Sequence, residues 1–262
     1  MPDNIYLSLT RQFNAGRVRA VVCSGQAAVL HRVAIMSKDG DWILREDEEA
    51  LSHVLGVLTK HGARYRFGAP LDRRWLAGGW SAHFEFHAGP LRVRTDFFTR
   101  PPRLTPADLE RLWAGAEQAD IPVVGLVELA EQKKTNREKD YAVIGELSRR
   151  MTDPRDQLRY SRSARDLIEL SRRYPDLVQA LLPARPLLGL MGAGIEPLEV
   201  ALDAERRQAM HRNEDRLAVF TRAASAWASA WPTVERQIGG QSLRDAHVTV
   251  IRHAEQLLPF AP

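Results

Sequence analysis

The sequence predicts an α+β fold in which a mixed β-sheet flanked by helices is followed by an all-helical C-terminal region. Short apolar and aromatic runs, separated by turn residues, fill the first 100 residues. From about residue 126 onward almost every segment has helical spacing. Because 262 residues suffice for two small domains, we expect an α/β domain over residues 1–120 and a helical domain over residues 121–262.

The first half of the N-terminal region predicts alternating strands and helices. "VRAVVCSG" crowds Val and Ala before a Gly break, which is typical of a buried strand, and "QAAVLHRVAI" has helical composition. "DGDWILR" predicts a second strand. The segment 46–61 predicts a helix, since its leucines have helical spacing, acids occupy its first turn and Gly62 follows as a stop signal.

The next elements complete the predicted sheet. "ARYRFG", "WSAHFEFH" and "LRVRTDFFT" have β-like composition, with a turn at "AGP" between the last two. "LTPADLERLWAGAEQ" then predicts a helix with Thr105 as N-cap and Pro106 at the first helical position. The Pro-rich "TRPPRL" and the stretch 117–126 are the candidate joints between the sheet and the helical region.

The composition excludes several classes of protein. With 44% apolar and 27% charged residues the chain resembles an ordinary globular protein, and it has no apolar run near eighteen residues and no signal-peptide pattern. We therefore expect a cytoplasmic protein without a membrane partner. The single cysteine, Cys23, excludes an intrachain disulfide, and its apolar surroundings favour a small buried residue over a nucleophile.

Two aspartates two residues apart, Asp39 and Asp41, precede the apolar part of the second predicted strand. Side chains two apart on a strand point to one face. Two adjacent carboxylates repel each other unless a cation neutralises them, and Mg²⁺ prefers such oxygen ligands. An acidic turn explains the same pair, so the pair needs support from elsewhere in the chain.

The first support is the turn Ser24-Gly25-Gln26, which lies between the first strand and a helix. A turn of small residues that opens a helix presents free backbone N–H groups to an anion. An ordinary tight turn is the alternative.

A second support is Asp96, an acid in the middle of the apolar and basic strand "LRVRTDFFT". A carboxylate there could bind a metal or accept a proton from an attacking hydroxyl, unless it is a surface acid paired with Arg92 or Arg94. In "AHFEFH", His83 and Glu85 alternate on a strand and could face the same site, but a structural pair is the favoured interpretation.

The third support is a basic cluster in "ELAEQKKTNREKDYAVIGEL", which includes Lys133, Lys134 and Arg137. On one continuous helix, Lys133, Arg137 and Asp140 would share a face. These cations could hold a triphosphate, and a surface ladder of ion pairs is the alternative.

The segment 149–173 holds eight arginines against four acids, a surplus equal to that of the whole chain. This concentration could be an electrostatic footprint for RNA or the solvated face of helices.

Together these motifs resemble the nucleotidyltransferase superfamily that includes DNA polymerase beta, the CCA-adding enzymes and nucleotidyltransferase-type bacterial toxins. Its pattern is an apolar strand, a Gly-Gly or Gly-Ser turn, a helix, Asp-x-Asp on a strand and a third acid on a later strand. Here the pattern looks like "CSGQAAVL", "KDGDWIL" and "RVRTDFF", followed by "KKTNREKD", and covers roughly residues 18–150. Gln26 replaces the usual Gly or Ser, and Gly40 replaces the usual apolar residue.

The resemblance implies a two-metal transfer of a nucleoside monophosphate from an NTP to a hydroxyl, with an RNA end as the favoured acceptor. Asp39, Asp41 and Asp96 would hold two Mg²⁺ ions, and Asp96 would help deprotonate the acceptor. The residues that would bind the nucleotide are Ser24, Gly25, Gln26, Lys133, Lys134 and Arg137.

Two other functions stay open. One is a catalytically inactive module of the same fold that binds a partner, because a fold does not secure activity. The other is an RNA-binding helical protein in which the α/β half is only a scaffold. The acceptor, the nucleotide and any partner protein are not identified by the sequence.

Overall fold

The computed structural model describes residues 4–262 and has an α+β fold, as predicted. Its N-terminal elements are α1 (Ile5–Phe13), β1 (Ala20–Cys23), α2 (Ser24–Leu30), β2 (Gly40–Leu44), α3 (Glu48–Lys60), β3 (Arg64–Tyr65), α4 (Arg73–Ala77), β4 (Ala82–Ala88), β5 (Leu91–Phe98) and α5 (Pro106–Ala116). The helical remainder consists of α6 (Leu126–Gln132), α7 (Glu138–Arg150), α8 (Pro154–Tyr160), α9 (Ala164–Arg173), α10 (Pro175–Leu181), a 3₁₀ helix (Pro186–Ala193), α11 (Ile195–Ala223), α12 (Ser225–Ile238) and α13 (Leu243–Leu257).

Local sequence signals account for several of these boundaries. Thr105 caps α5 and exchanges hydrogen bonds with Asp108 in a capping box, as its sequence predicts. Helix α2 ends at Leu30, earlier than its composition predicts, and Arg32 just beyond it has a left-handed backbone with φ 58°. Gly62, the predicted stop after α3, also has a positive φ, which a glycine adopts without steric cost.

The chain forms two compact units. The first comprises the residues up to Val124 together with Ala218–Pro262, and the second comprises Gly125–Leu217. Helices α12 and α13 therefore pack with the sheet, so the helical C-terminal region contributes to both units. The proposed division into functional domains near residue 120 stays a prediction.

The five strands of the first unit form one mixed sheet in the order β1-β2-β5-β4-β3. Strands β2 and β5 are parallel, and the other neighbouring pairs are antiparallel. The parallel pair sets Asp41 directly beside Asp96, and the antiparallel β5–β4 pair sets Asp96 beside His83. This register brings together acids that are 55 positions apart in the sequence.

One face of this sheet carries the core of the first unit. Trp42, Phe84 and Phe97 are fully buried on it, and apolar side chains of α1, α3, α12 and α13 join the same cluster. Because strand side chains alternate between faces, the remaining residues of these strands point to the opposite face. We call that opposite side the polar face, since its residues on β3, β4 and β5 include Arg64, Glu85, Arg92, Arg94 and Asp96.

The second unit has its own apolar core. Leucines from α8, α9, α10, the 3₁₀ helix and the start of α11 fill it, among them Leu158, Leu167 and Leu198, which are fully buried. Helix α9 is amphipathic, so one of its faces joins this core: Leu167 and Leu170 lie on its buried face, while Arg165 and Arg172 are exposed. Over residues 4–262 no helix combines the length with the apolar character that crossing a membrane requires.

Candidate active site

Asp39, Asp41 and Asp96, which we call the acidic row, lie on the polar face of the sheet. Asp41 and Asp96 are register partners on parallel strands, so their side chains emerge on one face about 4.8 Å apart along the hydrogen-bonding direction. Asp39 lies in the bend directly before β2, and its Oδ1 lies 3.8 Å from Nη1 of Arg94, a residue of the polar face. Two acids that the sequence separates widely are therefore neighbours.

Packing on the core face fixes the position of β2. Trp42 is fully buried, its indole Nε1 donates a hydrogen bond to Thr10 Oγ1 at 2.9 Å, and its ring stacks on Phe97. A Cβ atom on Gly40 would lie 2.4 Å from the Trp42 ring and 2.5 Å from the Tyr6 ring. The glycine between the two aspartates is therefore required by the aromatic core beneath it.

Ser24, Gly25 and Gln26, predicted as a turn before the helix, are instead the first residues of α2, and they pack against the loop that carries Asp39. A Cβ on Gly25 would lie 2.3 Å from Ser37 Oγ. Gln26 is buried, and its Nε2 lies 3.4 Å from the carbonyl oxygens of Ser37 and Asp39. Gln26 therefore positions the backbone of Asp39, which gives a structural reason for its presence where the resembling family has Gly or Ser.

Ser24 itself has a left-handed backbone with φ 52°. This conformation is uncommon for a residue other than glycine and costs about 1–3 kcal/mol. Ser24 directly follows Cys23, which is buried as predicted and pairs with Asp41. The strained residue thus lies one position from Cys23, the register partner of Asp41.

Two basic side chains, those of His83 and Arg66, lie beside Asp96 on the polar face. His83 Nδ1 lies 2.8 Å and Arg66 Nη1 lies 3.2 Å from Asp96 Oδ1. The Nδ1 approach lacks hydrogen-bond geometry, whereas His83 Nε2 contacts Ser81 Oγ at 2.9 Å. His83 therefore faces the acidic row and does not pair with Glu85, and the partners of Asp96 are not Arg92 and Arg94, the ones that we considered from the sequence.

Asp39 has a weaker partner. Arg94 Nη1 lies 3.8 Å from Asp39 Oδ1, and this buried oxygen makes no hydrogen bond within residues 4–262. The Tyr6 hydroxyl donates to the Lys38 carbonyl at 2.8 Å. Burial, and to a smaller extent the nearby charge of Asp39, raises the pKa of Tyr6 above its usual value. Tyr6 therefore stays neutral, and its hydrogen bond to Lys38 holds this loop in place.

A cleft of about 800 Å³ opens beside Asp39. It is bounded by α1, α2, the loop before β2 and the start of β5. Its lining residues are Asn4, Ile5, Tyr6, Gln26, Val29, Ile35, Met36, Ser37, Lys38, Asp39, Leu91, Arg92 and Arg94. A cleft with three cations, one carboxylate and several apolar side chains is large enough for a nucleotide-sized ligand.

No family model, curated protein or solved structure matches this chain significantly. The geometry of the acidic row therefore carries the functional argument.

The predicted nucleotide-binding cations of the second unit lie in ion pairs. The helix there is not continuous, since α6 ends at Gln132 and α7 begins at Glu138. Buried Asp140 accepts hydrogen bonds from Lys133 Nζ at 3.2 Å, Thr135 Oγ1 at 2.6 Å and Arg137 Nε at 2.8 Å. We call these four residues the Asp140 cluster.

Lys134 belongs to a neighbouring network. Its Nζ lies 2.6 Å from Glu131 Oε1, which also accepts a hydrogen bond from the Tyr160 hydroxyl at 2.7 Å. Burial lowers the pKa of Lys134 below its usual value. Because ion pairs already engage all three cations, phosphate binding by Lys133, Lys134 and Arg137 stays a prediction.

The arginines of 149–173 divide into two groups. Several lie in ion pairs, such as Arg149 with Asp166 and Arg162 with Glu205. Others, such as Arg165 and Arg172, are exposed on α9. The RNA-binding role of this segment stays a prediction.

Within residues 4–262, no three His, Cys, Asp or Glu side chains converge as a metal site. The donors of the acidic row nevertheless fit Mg²⁺, a hard cation that prefers carboxylates and tolerates few protein ligands. The buried and unbonded Oδ1 of Asp39 is one available ligand atom. Arg66, which sequence reasoning missed, pairs with Asp96, and Arg94, which it considered only for Asp96, lies beside Asp39. Each lies two residues after another arginine, in "ARYRFG" and "RVRTDFF", and this alternation is the signal that could have found them.

Proposed function

We propose that this protein is a Mg²⁺-dependent nucleotidyltransferase that moves a nucleoside monophosphate from an NTP to a hydroxyl, with an RNA end as the favoured acceptor. The observation that carries the proposal is the register of Asp41 and Asp96 on adjacent parallel strands, with Asp39 on the same face. The start of α2 at Ser24, one position beyond the partner of Asp41, adds support.

In this proposal Asp39, Asp41 and Asp96 would bind the metal ions, which would neutralise the phosphates and polarise the reacting phosphorus. Asp96 accepts the proton of the acceptor hydroxyl. The hydroxyl oxygen forms a bond to the α-phosphorus, the bond from that phosphorus to the bridging oxygen breaks, and pyrophosphate leaves. Arg66, whose Nη1 donates a hydrogen bond to Asp96 Oδ1 at 3.2 Å, orients that carboxylate.

Incubation with NTPs labelled at the α-phosphate, Mg²⁺ and total RNA tests this proposal. We expect wild type to label an acceptor and Asp41→Asn or Asp96→Asn to reduce the rate on the order of 100-fold or more, the range found when one electrostatic group is removed from an active site. Asp120→Asn, which changes an exposed acid that pairs with exposed Arg11, is the matched control. Labelling that is no stronger in wild type than in Asp41→Asn would refute transfer.

A catalytically inactive module of the same fold is the second candidate, favoured by the pairing of Asp96 with Arg66 and of Asp39 with Arg94. Arginines beside these carboxylates offset the repulsion between them, so a metal ion is not needed to neutralise their charge. Calorimetry separates the two functions. If the protein is an active enzyme, wild type should bind Mg·ATP and Asp41→Asn should lose that binding. If it is an inactive module, neither wild type nor Asp41→Asn should release heat when Mg·ATP is added.

A further inference from the structure

Four arginines lie on the polar face of the sheet beside the acidic row. They are Arg64 and Arg66 on or just after β3 and Arg92 and Arg94 on β5, and we call them the arginine rim. All four are at least partly exposed, and Arg64 and Arg92 keep 71% and 51% of their side chains accessible. Their strands are two apart in the sheet, a separation of about 10 Å.

One buried carboxylate organises this surface. Glu85 Oε1 accepts hydrogen bonds from Arg64 Nε at 3.0 Å and from Arg64 Nη2 at 2.6 Å. Glu85 Oε2 accepts hydrogen bonds from Arg92 Nε at 2.9 Å and from Arg92 Nη2 at 2.5 Å. Burial alone would raise the pKa of Glu85, but the hydrogen bonds from Arg92 and Arg64 outweigh it and lower the pKa. Glu85 therefore stays ionised and holds two planar guanidinium groups in fixed orientations.

The charges do not cancel at Glu85. One carboxylate faces two guanidinium groups, those of Arg64 and Arg92. Arg66 Nε lies 4.0 Å from Glu85 Oε2, while its Nη1 pairs with Asp96 at 3.2 Å. Arg92 and Arg94 also line the cleft that contains Lys38. The arginines thus extend from the cleft across β5 to the edge strand β3, with the acidic row beside them.

We propose that the arginine rim binds the phosphates of a single-stranded polynucleotide whose terminal hydroxyl lies at the acidic row. The proposal rests on the proposed function for the location of that hydroxyl. A surface about 10 Å wide exceeds one phosphate group and suits successive phosphates of a strand. Arginine is the residue best suited to bidentate phosphate contacts, and Glu85 pre-orders two of the four.

Binding of a fluorescent 20-nucleotide RNA, measured by anisotropy without Mg²⁺ or NTP, tests the arginine rim apart from catalysis. We expect Arg64→Gln with Arg92→Gln to weaken binding about 10-fold. The slope of log affinity against log salt should fall by about 0.7 for each arginine removed. Arg244→Gln with Arg252→Gln, two exposed arginines on α13, is the charge-matched control and should leave both quantities unchanged.

Further variants keep the test decisive. If the double variant fails to fold, Arg64→Gln alone leaves Arg92 on Glu85 and should lower the slope by about 0.7. Arg64→Lys with Arg92→Lys should keep the slope while weakening binding, since lysine keeps the charge and loses the bidentate geometry.

Three results would overturn the proposal. One is unchanged RNA affinity in the double variant. Another is loss of RNA binding only in Arg165→Gln with Arg172→Gln on α9. The third is a rim variant that weakens Mg·ATP binding and leaves RNA affinity intact, which would assign the arginines to the nucleotide. RNA binding that depends on the arginine rim in a protein without transferase activity would support this surface and refute only the proposed function.

Discussion

The acidic row and the Asp140 cluster contain similar residues and differ in burial. Asp140 and Lys133 are 4% and 8% exposed, and hydrogen bonds from Lys133, Thr135 and Arg137 engage both carboxylate oxygens of Asp140. Asp39, by contrast, is 39% exposed, has a cation only at 3.8 Å and keeps an oxygen without a hydrogen bond. A carboxylate with all of its bonding capacity satisfied by buried neighbours stabilises the fold, whereas a half-exposed one with spare capacity can bind a ligand.

The largest expected effect is a difference in the free energy of unfolding between a variant of the Asp140 cluster and a variant of the acidic row. Asp140→Asn removes the charge that compensates buried Lys133, and breaking a buried pair in this way costs about 3–5 kcal/mol. Asp39→Asn removes only a long, half-exposed ion pair and should change the free energy of unfolding by less than about 1 kcal/mol. Urea denaturation of both variants measures the difference. Equal losses would contradict the contrast between the two sites.

The destabilisation caused by Asp140→Asn should also depend on pH, which tests whether the charge of Asp140 is its cause. Burial raises the pKa of Asp140, but the Thr135 hydrogen bond and the charges of Lys133 and Arg137 outweigh it, so the folded-state pKa lies below 3.8. A lowered folded-state pKa contributes stability that is present above the unfolded pKa and is lost as pH falls through the folded one. The gap between wild type and Asp140→Asn should therefore be constant at neutral pH and narrow below about pH 3.8. A gap that persists unchanged to pH 2 would exclude this charge as its cause.

A smaller effect tests what positions the acidic row. Gly40→Ala places a methyl group against the Trp42 and Tyr6 rings, and such overpacking costs about 1–3 kcal/mol. Thermal unfolding should show this loss, and nucleotide transfer should fall as Asp39 and Asp41 move. Gly115→Ala in α5 meets no atom within 4 Å and should stabilise the helix by up to about 1 kcal/mol. A Gly40→Ala protein as stable as wild type would show that the aromatic core does not fix this strand.

Much of the local structure follows from the sequence because its signals are local. Apolar alternation marks β4 and β5, and Thr105 with Pro106 marks the start of α5. The strand that carries Asp41 also follows from its apolar run. The continuous helix considered between Lys133 and Asp140 does not form, since the chain leaves α6 at Gln132 and starts α7 at Glu138.

The sequence by itself determined the elements and identified Asp39, Asp41 and Asp96 as candidates, since periodicity and turn chemistry act over a few residues. Only the tertiary structure decided that β2 lies parallel to β5, which makes Asp41 the neighbour of Asp96. The tertiary structure also decided that Glu85 forms ion pairs with both Arg64 and Arg92. It further decided that two aromatic rings occupy the space that a side chain at position 40 would need. These features depend on strand order and core packing, which join residues distant in the chain and leave no periodic signal within any one segment.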